Sequence, residues 1–173
     1  MMFLTRLKAV RYIFLDVDGV LTNGQILVTE TGEQLRTFHV KDGYAIQYAV
    51  RAGLFIFIIT GGRSLGVQKR FEALGVTEIH LGISDKAAVL EKLRGKYNFQ
   101  AHECLFIGDD MPDYTCMREV GVAVCPADAV EEIKAISHYV STKRGGEGVV
   151  RDILEKIIKL QGNWHPDTYI KSL

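Results

Sequence analysis

The chain is predicted to adopt an α/β fold in which helices cover both faces of a parallel sheet, and three observations lead there. Short apolar runs, such as residues 54–59, alternate with amphipathic segments. The runs are apolar throughout, as burial on both faces of a strand requires. A single segment, residues 25–40, departs from the alternation. A chain of 173 residues suits one domain with a full core, placed at 1–161, followed by a C-terminal tail at 162–173.

The first strand is predicted at 12–16, where an apolar run ends in Asp16. Residues 25–40 carry β-branched and aromatic residues on both sides of Thr31-Gly32, the pattern of a β-hairpin inserted at about 24–40. Such a hairpin is too small to be a lid domain. It either extends the core as an edge or forms the rim of a site, and its position beside the aspartates favours the rim. Further strands are predicted at 54–60, 78–81, 104–107, 122–124 and 138–140. A helix is predicted at 65–74, ended by Gly75, and another at 86–93, with Ser84 or Asp85 as N-cap and Gly95 as stop. The segments 111–120 and 130–136 are also helical in pattern, Pro112 suiting a first turn. The last helix, 149–160, sets Val150, Ile153, Leu154, Ile157 and Ile158 on one face before Gly162.

Composition narrows the function. Twenty-one basic residues balance twenty-one acidic ones, with no basic block interleaved with aromatics, so the footprint of a nucleic-acid binder is missing. An anionic ligand must then be held by local groups. The apolar runs are too short to span a bilayer and the N-terminus lacks a signal-peptide core, so no membrane contact and a cytoplasmic location are expected. Cys104, Cys116 and Cys125 are odd in number and without C-x-x-C spacing, which favours buried free thiols over disulfides or zinc ligands.

The chemistry is concentrated after the strands, where open α/β sheets bind ligands. Asp16 and Asp18, two residues apart at a strand end, project to one side and converge on a small volume. That pairing suits a hard cation, or a nucleophile beside a proton donor, though D-x-D also occurs in turns and calcium loops. Thr60 offers a hydroxyl, and Gly61-Gly62 offers backbone N–H groups that a phosphate oxygen can approach. Lys86 opens a helix, where an ammonium and the helix N-terminus favour an anion; a solvated lysine is the plain alternative. Asp109, Asp110 and Asp113 put three acids on one tight turn, which points to a cation.

In that order, Asp16-Val17-Asp18-Gly19, Thr60-Gly61, Lys86 and the acidic run from Gly108 to Asp113 resemble the four motifs of the haloacid dehalogenase (HAD) superfamily of aspartate phosphatases. The resemblance spans nearly the whole chain and implies a Rossmann-like α/β fold. It implies that Asp16 is the nucleophile forming an aspartyl phosphate and that Asp18 is the acid and then the base. Thr60 and Lys86 would steady the phosphoryl group. Mg²⁺ would be held by Asp16, the Asp18 carbonyl and Asp109, with Asp110 and Asp113 in support.

The hairpin, the lack of a large cap, the stretch His39-Val40-Lys41-Asp42-Gly43-Tyr44 and the run from Gly145 to Arg151 resemble the capless subfamily that contains the 3-deoxy-D-manno-octulosonate 8-phosphate (KDO 8-phosphate) phosphatases. That resemblance implies a phosphorylated sugar acid as substrate and a homotetramer in which neighbouring subunits complete each site through hairpins and C-terminal segments. It assigns sugar contacts to the loop His39, Val40, Lys41, Asp42, Gly43, and to Gln47, Gly61, Gly62, Arg63 and Arg70. Many relatives carry arginine where this chain has Gly62, and often where it has Gln47. A nonulosonate 9-phosphate (KDN or sialic acid) phosphatase and a non-catalytic oligomeric binding domain are the alternatives. The tail, with Trp164, Tyr169 and Ile170 in a non-periodic segment, suits docking on a partner or a frayed end.

Overall fold

The computed structural model describes residues 2–165 and Ile170. A short helix α1 (Phe3–Leu7) precedes strand β1 (Tyr12–Leu15), which is followed by a hairpin of β2 (Leu27–Val28) and β3 (Gln34–Leu35). Next come α2 (Val40–Arg51), β4 (Phe55–Ile59), α3 (Leu65–Leu74), β5 (Glu78–His80) and α4 (Lys86–Tyr97). The chain continues through β6 (Cys104–Ile107), α5 (Tyr114–Glu119), β7 (Val122–Cys125), α6 (Glu131–Ile136), β8 (Tyr139–Val140) and α7 (Val149–Leu160).

Six strands form one parallel sheet in the order β5-β4-β1-β6-β7-β8. β1 lies between β4 and β6, pairing Leu15 with Ile58 on one side and with Ile107 on the other. Chain order reverses there, and the carboxyl ends of β4, β1 and β6 converge on a crevice.

Both faces of the sheet are buried, which explains the unbroken apolar runs. Ile13 and Leu15 face a core shared with Leu7, Ile46, Phe71, Ile153 and Ile157 from α1, α2, α3 and α7. Tyr12 and Phe14 face the opposite core with Leu90, Leu93, Met117 and Ile133 from α4, α5 and α6. In that second layer Phe14 stacks on Phe57 with ring centroids 4.9 Å apart and tilts against Phe99 at 5.5 Å. The result is the predicted helix–sheet–helix architecture. Cys104, Cys116 and Cys125 are all buried and free, as their spacing suggests.

Four local expectations need correction. The hairpin is shorter than 25–40, and it forms a separate two-stranded sheet that does not extend the core. Val40 opens helix α2, capped by His39, whose Nδ1 accepts from Lys41 N at 3.2 Å; the presumed loop from His39 to Gly43 is therefore an N-cap and first helical turn. Helix α4 runs through Gly95 to Tyr97, capped at its start by Asp85 and ended by Asn98 at φ 52°. The helix expected at 111–120 is a 3₁₀ turn, Met111–Asp113, followed by α5 and a β-conformation Val120.

The start of the tail docks on its own chain. Trp164 stacks on Tyr48 at 4.6 Å under the Arg151 guanidinium, and the Tyr48 hydroxyl accepts from His165 N at 2.7 Å. Tyr169 and the tail beyond Ile170 lie outside the described residues. Among the described residues no helix is long and apolar enough to cross a membrane.

Candidate active site

Asp16 follows β1 directly, its N–H donating to Ile107 O at 3.1 Å so that the end of β1 stays attached to β6. Asp109 follows β6, and the turn of Asp16, Asp18 and Gly19 presses against it. Gly19 has φ +89°, and a Cβ there would lie 1.9 Å from Asp109 Oδ2, so both backbone conformation and space demand glycine. The glycine run at 145–146 braces the same turn from behind, Gly146 N donating to Val20 O at 3.0 Å.

The predicted catalytic groups share one cleft of about 520 Å³, lined by Asp16, Asp18, Thr60, Gly61, Gly62, Lys86, Asp109, Asp110 and Asp113. Lys86, at the first position of α4, is buried between two carboxylates: its Nζ lies 2.8 Å from Asp16 Oδ1 and 2.7 Å from Asp113 Oδ1. Asp113 also accepts from Asp109 N at 3.1 Å. Asp110 caps the 3₁₀ turn by accepting from Met111 N at 2.7 Å. Thr60 is buried at the end of β4, and its Oγ1 accepts from Gly62 N at 3.1 Å, curling the Thr60-Gly61-Gly62 turn toward the cleft.

Electrostatics in this cleft call for a cation. Burial pushes the Asp109 carboxyl up to about 8, and the negative charges of Asp16, Asp113 and Asp110 add to the effect. Asp16 and Asp113 are raised chiefly by burial, with Lys86 opposing the rise at both. Burial alone would lower the pKa of Lys86; the charges of Asp16 and Asp113 outweigh that and raise it, so the ammonium persists. One lysine does not balance three acids, two of them buried and one half-buried.

The donor set fits a hard divalent ion. One carboxylate oxygen from each of Asp16, Asp109 and Asp113 lies within 4.8 Å of the others, and Asp109 Oδ1 is buried with no hydrogen-bond partner. The Asp113 carboxylate is thus part of this cluster, whereas that of Asp18 points elsewhere. Both Asp18 oxygens are held by Arg36 from the hairpin, at 2.6 and 3.0 Å. No sequence motif singled out Arg36.

The residues assigned to sugar contacts are scattered within one chain. Gly61 and Gly62 line the cleft, while Arg63 is exposed and lies against Gly82. His39, Asp42, Gly43 and Arg70 line a separate crevice between α2 and α3 that has no room for water. There the Arg70 guanidinium sits 5.5 Å over the Phe38 ring. Asp42 accepts from Arg151 N at 2.7 Å; its Oδ2 is buried without a partner, and burial pushes its carboxyl up to about 6. Val40 and Lys41 are exposed and Gln47 is half-buried on α2.

Comparison with known proteins gives the same picture. The haloacid dehalogenase-like hydrolase family matches residues 75–153. The 3-deoxy-D-manno-octulosonate 8-phosphate phosphatase KdsC of Yersinia pestis is 35% identical over 156 residues, covering 90% of this chain and 83% of that protein. The protein of the same name from Escherichia coli K12 is 34% identical over 159 residues, covering 92% and 85%. The crystal structure of a 3-deoxy-D-manno-octulosonate 8-phosphate phosphatase from Moraxella catarrhalis, in complex with a magnesium ion, a phosphate ion and KDO, superposes with a TM-score of 0.90. It is 36% identical and covers 93% of this chain and 92% of that one. With this fold, this cleft and identity above 30% over nine-tenths of its length, the chain belongs to the haloacid dehalogenase-like hydrolases.

Proposed function

We propose that the chain is a Mg²⁺-dependent phosphatase that hydrolyses 3-deoxy-D-manno-octulosonate 8-phosphate to KDO and inorganic phosphate through an aspartyl phosphate. The observation that carries this proposal is the grouping of Asp16, Asp109 and Asp113 beside Lys86 at the sheet's switch point. The likeness to KDO 8-phosphate phosphatases supports the choice of substrate.

Asp16, Asp109 and the Asp18 carbonyl hold the cation, with Asp113 beside them and Asp110 fixing the turn. Bound there, Mg²⁺ offsets the repulsion between an incoming phosphate and the carboxylates and draws charge from the phosphoryl oxygens. The Thr60 hydroxyl, whose oxygen is held by Gly62 N–H, the Gly61 backbone N–H and Lys86 orient the phosphoryl group. An oxygen of Asp16 attacks phosphorus; the bond to the sugar oxygen breaks, its electron pair stays on that oxygen, and Asp18 supplies the proton. Asp18 then takes a proton from water as the water attacks the aspartyl phosphate, releasing phosphate and restoring Asp16.

Arg70, Asp42, His39 and Gly43 line a crevice separate from the cleft of their own chain. Their proposed sugar contacts are therefore assigned to the cleft of an adjacent subunit in a homotetramer. The exposed apolar side chains of Ile26, Leu27, Val28 and Leu35 on the hairpin support such assembly. Residues 1–161 are taken as the catalytic domain and 162–173 as its tail.

Phosphate release from KDO 8-phosphate and from nonulosonate 9-phosphates, each measured with Mg²⁺ and with EDTA, tests the proposal. The expected result is Mg²⁺-dependent release that is fastest on the eight-carbon substrate. A preference for nine carbons would reassign the substrate, and no release on either would leave a binding domain.

Stability should report the cation independently of turnover. Acids whose pKa is raised by folding stabilise the fold fully below their unfolded value, and lose that contribution as pH climbs through the folded value. For Asp109 this window runs from about 4 to about 8, so the cation-free protein weakens across it. Mg²⁺ at one fixed concentration, 100 times its Kd at pH 8, should add about 2.7 kcal/mol there, a Tm gain of roughly 5–10 °C, and less at pH 5, where protonated acids weaken binding. Equal gains at both pH values in thermal melts would contradict the acidic cluster as the binding site.

A further inference from the structure

We propose that Arg36, at the end of the hairpin's second strand, is a positioning residue for the Asp18 carboxylate, so that the hairpin is a working part of proton delivery. The proposal rests on Asp18 being the acid that protonates the leaving alcohol. Asp16 and Asp113 share Lys86, whereas the Asp18 carboxylate takes both of its hydrogen bonds from Arg36. Arg36 Nε donates to Oδ1 at 2.6 Å and Nη2 to Oδ2 at 3.0 Å, a parallel fork that fixes the plane of the carboxylate as well as its position. Nη1 donates to Gln34 O at 3.1 Å, tying the guanidinium to the backbone of β3. An unbroken set of hydrogen bonds therefore runs from the hairpin strand to the carboxylate.

The phosphate-binding turn makes room for this pair. A Cβ on Gly62 would lie 3.1 Å from Arg36 Nη2 and 3.4 Å from Asp18 Oδ2, tight enough to disturb the fork. Glycine at 62 thus leaves space for the fork, while its N–H is given to Thr60 Oγ1. Asp18 is half-buried at the cleft mouth on a turn, and without the fork its short side chain is free to change rotamer. To act as the acid Asp18 must carry its proton on one oxygen; with the proton on Oδ2 the shorter bond from Arg36 Nε to Oδ1 still holds the group, and the full fork re-forms once the proton has passed to the bridging oxygen as the P–O bond breaks. A loosely held Asp18 therefore costs rate and not affinity.

The test compares two substrates that differ in their need for an acid. The sugar alkoxide of KDO 8-phosphate is a poor leaving group, whereas p-nitrophenolate departs with little help. First-turnover release of each alcohol with Mg²⁺ isolates the phosphorylation step. Arg36→Met should slow release from KDO 8-phosphate about 10- to 100-fold, with KM little changed, and leave p-nitrophenol release almost unaltered. Arg36→Lys, which keeps the charge but not the fork, should recover part of the loss. Arg36→Gln gives the same comparison if the methionine variant misfolds by circular dichroism.

Equal losses on the two substrates, a change in KM alone, or no loss would overturn the proposal. Asp18→Asn is measured alongside. If it shows the leaving-group-dependent loss and the Arg36 variants do not, Arg36 is wrongly assigned while Asp18 stands. If it shows none, Asp18 is not the acid and the role of Arg36 falls with it.

Discussion

Asp16→Asn is expected to reduce kcat by at least about 10⁴-fold, because the reaction has no nucleophile without this carboxylate and the surrounding groups act only through it. The variant should still fold. Asn keeps the shape and can accept from Lys86, and it removes one of three mutually repelling clustered acids, so Tm in EDTA should equal or exceed that of the parent protein. In Mg²⁺ the order should reverse, since the cation loses a charged ligand. Measuring kcat and the two melting curves separates the roles. Substantial residual turnover would remove Asp16 as nucleophile, and a large fall in Tm without metal would mean that Asp16 serves the fold more than the chemistry.

Lys86→Met should damage both activity and stability. Lys86 is buried and bridges Asp16 and Asp113, so its loss leaves buried carboxylates without their cation. Breaking a buried ion pair from one side costs about 3–5 kcal/mol, or a fall in Tm of roughly 6–20 °C without divalent metal. Mg²⁺ should recover part of this by supplying the missing positive charge. Activity should fall about 10²- to 10³-fold even when metal restores the fold, because the phosphoryl oxygens lose a preorganised positive charge. An unchanged Tm in EDTA would show that Lys86 is not what neutralises these acids.

How much of this was legible in the sequence depends on whether the signal was local. The strands could be read because burial on both faces leaves unbroken apolar runs, as in the segment before Asp16 and the one before Thr60. The catalytic groups were visible because the fold places them directly after those runs. Helix α2 escaped detection. Its N-cap is a histidine, its first residue is β-branched and Gly43 sits in its first turn, all poor local signals, while its buried face packs on the sheet and α7. Gly95 looked like a stop, but α4 continues past it because Leu90 and Leu93 are anchored in the core and Asn98 supplies the left-handed end.

Other features were beyond local reading. Arg36 is one basic residue in a polar hairpin, and its partner stands 18 positions away. Asp113 was legible as a supporting acid of the turn, but its ion pair with Lys86, 27 positions away, was not. The sugar contacts came from resemblance alone, and the crevice that holds Asp42 and Arg70 lies away from the phosphate turn in the same chain.

The central claim is that Asp16 becomes covalently phosphorylated beside a divalent ion held by neighbouring acids. Acid quench during turnover of KDO 8-phosphate with labelled phosphorus, followed by peptide mapping, tests it most directly. The account predicts label on the peptide carrying Asp16, lost in Asp16→Asn and in EDTA; label on another residue, or undiminished turnover without metal, would contradict it.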